Sequence, residues 1–116
     1  MAAFYIKIRN VGTYKIIDLI GSAAETSVLS KLPEEIETVI NNNPGNIAIN
    51  LSGADYINSG IIGLFVHWYK LVADRNDECC LIEPNDKCRE VLRLVGIQHV
   101  ITVHESEKQF LDSLKQ

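Results

Sequence analysis

Alternating apolar and polar positions open the chain. Phe4, Ile6 and Ile8 interleave with Tyr5, Lys7 and Arg9 across Ala3 to Arg9, the period-2 pattern of a half-buried strand. Asn10-Val11-Gly12 suits a hairpin connection, and Thr13 to Ile20 reads as a second strand. The period then changes. Val28, Leu29, Leu32, Ile36, Val39 and Ile40 recur at helical spacing between Glu25 and Asn42. Pro33 lies inside that stretch, so it either kinks the helix or starts it afresh as the first turn of Glu34 to Asn42. Asn41 to Gly45 carries stop signals. Asn46 to Leu51 predicts a short buried strand and Ser52-Gly53-Ala54-Asp55 a turn.

After Tyr56-Ile57, Asn58 and Ser59 occupy the N-cap position of a helix reaching about Ala73. Ile61 or Ile62, Phe65, Tyr69 and Val72 would form its inward face. Gly63, one turn in, costs about 1 kcal/mol against Ala unless close packing against a strand demands it. Glu78 to Ile82 is the next strand. Pro84 opens a helix, Asn85 to Val95, with Val91, Leu92 and Val95 inward and Gly96 as its C-terminal cap. His99 to Val103 is a last strand, and Ser106 starts a helix, Glu107 to Leu114, with Phe110, Leu111 and Leu114 on one side. The order ββαβαβαβα predicts an α/β domain. Its sheet is mixed and mainly parallel, with one antiparallel edge strand.

Composition narrows the function classes. With 116 residues the chain is a single domain, 1–116, with one modest core. A net charge of -4 argues against a nucleic-acid or anionic-membrane binder. No apolar run approaches the ~20 residues of a membrane span. Met1 to Tyr5 lacks the layout of a signal peptide, so a cytoplasmic protein is expected. Cys79, Cys80 and Cys88 are odd in number and without CxxC spacing, which predicts buried free thiols, no metal and no cofactor. Enzymatic motifs are missing: no Gly-rich phosphate loop, GxSxG elbow or HExxH occurs, and Asp18, Asp55 and Asp74 do not form an acidic cluster. Glu34, Glu35 and Glu37 read as a solvated helix face. Trp68 is either an exposed partner anchor or is tucked against the first helix. His67 reads as a rim residue. His99 and His104 are too far apart in sequence to suggest ligation.

The run Leu51-Ser52-Gly53-Ala54-Asp55-Tyr56-Ile57-Asn58-Ser59-Gly60-Ile61-Ile62-Gly63-Leu64 resembles the signature of STAS domains, the anti-sigma factor antagonists and their relatives. That signature is an apolar strand ending in Asp/Asn-Leu, a loop, an aromatic-apolar pair, Asp-Ser, a small residue and Gly-Leu-Gly. Glu83 to Ile97 is similar to the family's Pro-led third helix. The resemblance spans nearly the whole chain and implies the STAS fold, with helices over one face of the sheet. It implies no enzymatic activity. Ser59 matches the residue that a partner kinase phosphorylates in the antagonists, and Asp55, Asn58, Gly60, Ile61 and Ile62 would form the partner-binding loop. The implied partners are a serine kinase/anti-sigma factor and a phosphatase that resets the switch. Three positions depart from the pattern. Asn58 replaces the usual Asp, Ile61 stands where Gly is usual, and Gly21-Ser22-Ala23-Ala24 lacks the Leu-Asp pair many antagonists carry there. The alternative is a constitutive subunit of a signalling scaffold or transporter-associated complex, with Ser59 only a cap.

Overall fold

The computed structural model describes residues 5–22 and 32–115. The alternating N-terminal segment forms β1 (Tyr5–Val11), which pairs antiparallel with β2 (Tyr14–Ser22) in the register Val11↔Tyr14 through Tyr5↔Ile20. The two residues left between them make the turn, and Gly12 supplies the positive φ (+58°) that it needs. Next come α1 (Leu32–Asn42), β3 (Asn46–Asn50), β4 (Ala54–Tyr56) and α2 (Ser59–Ala73). β5 (Cys79–Ile82), α3 (Asp86–Val95), a 3-10 turn (Ile97–His99), β6 (Thr102–His104) and α4 (Glu107–Ser113) complete the chain. Ala3 and Phe4, the Glu25 to Lys31 part of the expected first helix and Ala23-Ala24 lie outside the described residues.

The sheet order is β1-β2-β3-β5-β6, and only the β1–β2 pair is antiparallel. β3 and β5 are central and parallel, which is why Ile47 to Asn50 and Cys79 to Ile82 are buried on both faces. On one face Ile17, Leu19, Ile47, Ile49 and Leu81 meet α1, α2 and α3 in the main core. Each of these helices contributes one apolar stripe, with Leu32, Ile36 and Ile40 from α1 and Cys88 and Leu92 from α3.

Five details depart from the sequence reading. α1 to α3 share one face as expected, but α4 crosses to the other. There Phe110 packs on Tyr14, Ile16, Ala48, Cys80 and Ile82, because those even-numbered strand positions form a second apolar patch. β4 lies in what reads as loop, paired in parallel with the end of β2 through Gly21↔Ala54; three residues are too few for a visible period. The last strand begins at Thr102, since Gly96 in the left-handed conformation (φ +75°) leads into the 3-10 turn. Finally, Trp68 rather than Tyr69 completes the inward stripe of α2 with Ile61, Phe65 and Val72. The indole is 0% exposed and lies 5.9 Å from the Phe65 ring, so it is tucked inside and not an exposed anchor. Val95, expected inward on α3, is exposed. Among the described residues no helix is long and apolar enough to cross a membrane.

Candidate functional site

Because α2, α3 and α4 each follow a parallel strand, all three helices begin at the same end of the sheet, beyond the strands' C-termini. Helix N-termini carry N–H groups without intrahelical partners, and each of these ends is capped by a side chain. Asn85 Oδ1 accepts from Cys88 N at 3.0 Å, and Ser106 Oγ accepts from Gln109 N at 3.1 Å. On α2 the cap is Asn58, whose Oδ1 accepts from Ile61 N at 3.1 Å. Ser59 is therefore the first helical residue and not the cap. It is exposed, and its hydroxyl takes no hydrogen bond among the described residues. The backbone N–H groups of Ser59 and Gly60 are likewise without a partner among them.

The electrostatics of this end also differ. The first turns of α1, α3 and α4 carry Glu34 and Glu35, Asp86 and Glu107 respectively, while that of α2 carries no acid. The positive pole of its dipole is left uncompensated by its own side chains.

The loop leading to Ser59 is tied down from beneath. Leu51 N donates to Ile82 O at 2.9 Å, and Ala54 N donates to Leu51 O at 3.1 Å. Ala54 O in turn accepts from Asn85 Nδ2 at 2.6 Å and from Cys88 Sγ at 3.2 Å. Asn85 thus caps α3 and holds the loop at once. Nothing in the local sequence signals this second contact, because 31 residues separate the partners.

The predicted site residues divide into two groups. Asp55, Ser59 and Gly60 are exposed and Asn58 is half-buried beside them, all within one short stretch. Ile61 and Ile62 are 0% and 7% exposed and belong to the main core. They anchor the first turn of α2 from below, because the helical phase set by Asn58 turns both inward. Gly63, by contrast, faces outward, and a Cβ placed there would meet nothing within 4 Å. No strand packing requires this glycine.

Other reactive groups lie elsewhere. Cys79, Cys80 and Cys88 are free and buried. Burial pushes the first two thiols up to about 12, and burial also raises Cys88, so the thiolate form is suppressed. His67 is exposed, with Nε2 3.4 Å from Glu37 on α1. His104 packs edge-on against Phe110 at 5.3 Å, and burial lowers its pKa. Among the described residues no group of three or more His, Cys, Asp or Glu is placed to hold a metal ion. What Asn58 to Gly60 offer is an open hydroxyl and two backbone donors on a rigid support.

The STAS domain family model matches residues 6–110. No curated protein matches the chain. Among solved structures, an anti-sigma factor antagonist from Mycobacterium paratuberculosis aligns with a TM-score of 0.84 at 12% identity, covering 98% of this chain and 96% of that one. The unphosphorylated form of the anti-sigma factor antagonist SpoIIAA aligns with a TM-score of 0.74 at 17% identity, covering 96% of each chain. The phosphorylated form of SpoIIAA, a Bacillus cell fate determinant, aligns with a TM-score of 0.68 at 17% identity, over 95% of this chain and 99% of that one.

Proposed function

Because the chain belongs to the STAS domain family, we propose that it is a non-enzymatic, anti-sigma factor antagonist-like regulator of the cytoplasm, switched by phosphorylation of Ser59. Unmodified, it binds a serine kinase/anti-sigma factor through Asp55, Asn58, Ser59 and Gly60 and the outer side of α2. The kinase transfers the γ-phosphoryl group of ATP to the Ser59 oxygen, and a phosphatase removes it by hydrolysis. The observation that carries this reading is the division of labour at the helix start. Asn58 already performs the capping, which leaves the Ser59 hydroxyl exposed beside two N–H groups without a partner among the described residues and no first-turn acid.

Such an end tolerates a dianion. A phosphate adds about two negative charges at pH 7, and the dipole and the Ser59 and Gly60 N–H groups favour it there. The fold is kept while the docking surface changes. A partner seated over the loop meets a charge it must desolvate, which weakens the complex. That SpoIIAA exists in phosphorylated and unphosphorylated forms on this fold supports the same two states here.

The test is intact-mass measurement and peptide mapping of the protein from its own cells, followed by capture of its kinase partner with Ser59→Ala and Ser59→Asp variants. The expected result is a phosphate on Ser59, with capture retained by Ser59→Ala and weakened at least about tenfold by Ser59→Asp. Equal capture by both variants, with no phosphate found, would replace the switch with a constitutive subunit of a larger assembly.

A further inference from the structure

Asn50 is the one buried polar side chain among the described residues, 4% exposed at the end of β3. Its two amide atoms face different elements. Oδ1 accepts from the N–H and the hydroxyl of Ser52, at 2.8 and 2.7 Å, closing the turn that leads out of the strand. Nδ2 donates to Glu107 Oε1 of α4 at 2.9 Å.

The orientation of the amide is forced. Rotated by half a turn, it would set its carbonyl against the Glu107 carboxylate and its NH₂ against the Ser52 N–H, losing both of those bonds and keeping at most the one to the Ser52 hydroxyl, which can also accept. Glu107 is itself immobilised. Its two oxygens accept from Arg9 at 2.7 and 2.8 Å while Arg9 grips Asp18 through two further bonds of 2.7 Å, and Glu107 N donates to Glu83 Oε1 at 2.9 Å. Ser52 passes the constraint on. Gly53 O accepts from Gly21 N at 3.0 Å, and Ala54 opens the strand that ends just before Asn58 and Ser59. A Cβ at Gly53 would press on Ile20 at 3.2 Å, so the turn has little room to relax.

We propose that Asn50 is a positioning residue for the Ser59 loop, and that Glu107 of α4, on the far side of the sheet, sets its orientation. This rests on the reading of Ser59 as the switch and extends it: the loop presented to a partner is held in shape by the terminal helix. Anything that displaces α4 frees the Asn50 amide and loosens the Ser52–Gly53 turn.

The experiment is a polarity swap followed by backbone amide NMR and hydrogen exchange on the folded protein, with no partner needed. Glu107→Ala removes the acceptor facing Nδ2, and Asn50→Asp sets two carboxylates against each other. Each alone is expected to move the Ser52, Gly53, Ser59 and Gly60 amide signals and to raise exchange across 51–60 about tenfold, with β3 and the body of α2 unchanged. Combining Asn50→Asp with Glu107→Gln reverses donor and acceptor: the introduced glutamine amide donates to the introduced carboxylate, which still accepts from Ser52. It is expected to return those signals to their wild-type positions. Single variants that leave Ser59 and Gly60 unmoved, or a double variant that moves them as far as Asn50→Asp alone, would overturn the proposal. Either failure leaves the phosphorylation test untouched. If Glu107→Ala does not fold, the shorter Glu107→Asp is expected to move the same four signals, and still signals there would overturn the proposal equally.

Discussion

The C-terminus of α1 and the N-terminus of α2, at opposite ends of the sheet, are built on opposite plans. At the end where the parallel strands begin, Arg75 ties the structure shut. Its guanidinium donates to Ile40 O at 2.6 Å, Asn43 O at 3.0 Å, Gly45 O at 2.8 Å and Asp77 Oδ2 at 2.9 Å, and the same Asp77 oxygen accepts from Gly45 N at 3.0 Å. A cation thus meets the carbonyl end of α1 and joins it to the turn that follows α2, where charge and dipole agree. At the other end the head of α2 is capped by Asn58 and is otherwise open among the described residues. The first junction spends its polar groups within the fold, while the second leaves a hydroxyl and two N–H groups without partners among those residues.

Three substitutions separate the two plans. Replacing Arg75 by Ala breaks the closed end, taking the guanidinium from three backbone carbonyls and from Asp77, which keeps the Gly45 N–H. A loss of about 3 kcal/mol in urea unfolding is expected, with the Ser59 and Gly60 amide signals unmoved. A loss within experimental error would show that water replaces the guanidinium freely. Asn58→Ala attacks the open end and is expected to cost about 1 kcal/mol, whereas Asn58→Asp keeps the cap and recovers that loss. Equal stability of the two variants would mean that Asn58 is not the cap in solution. The smallest effect has the opposite sign. Gly63→Ala should raise stability by about 0.5–1 kcal/mol, since the site is helical, outward and unobstructed. If α2 is the docking face, the same methyl group weakens partner capture, and a variant both more stable and fully competent would remove Gly63 from that face.

Much of this was legible in the sequence where a period could be counted. The hairpin, the central strands and the four helix positions follow from spacing alone, as does a polar pair at the head of α2. What the spacing could not show was set by partners distant in the chain. β4 exists because the end of β2 lies beside it. Trp68 displaces Tyr69 from the core because the larger apolar ring gains more from burial, while the tyrosine stays half-buried at the rim. The side chosen by α4 depends on the alternate faces of strands that precede it by up to 98 residues, the separation of Arg9 from Glu107. At the site, Ser59 was readable as a helix-start hydroxyl. Spacing put Ile61 or Ile62 on the inward face of α2, and only the cap at Asn58 fixes the phase that turns both inward; the ties from Asn85, Asn50 and Arg75 bridge 31, 57 and 35 residues of chain by contacts with no local signature.

The spatial order of the strands, β1-β2-β3-β5-β6, is also their order of synthesis. Every strand on that path lands on an edge that its predecessor has just completed, so the nascent chain can extend the sheet one unit at a time without leaving a gap to be filled later. Such a topology keeps most pairings short-range in sequence, which favours quick folding and few exposed edges along the way. The contact between α4 and β1 is the exception. When Glu107 reaches back to Arg9, it joins β1 across all the strands that lie between them in sequence, so this pair locks only after those strands have been laid down.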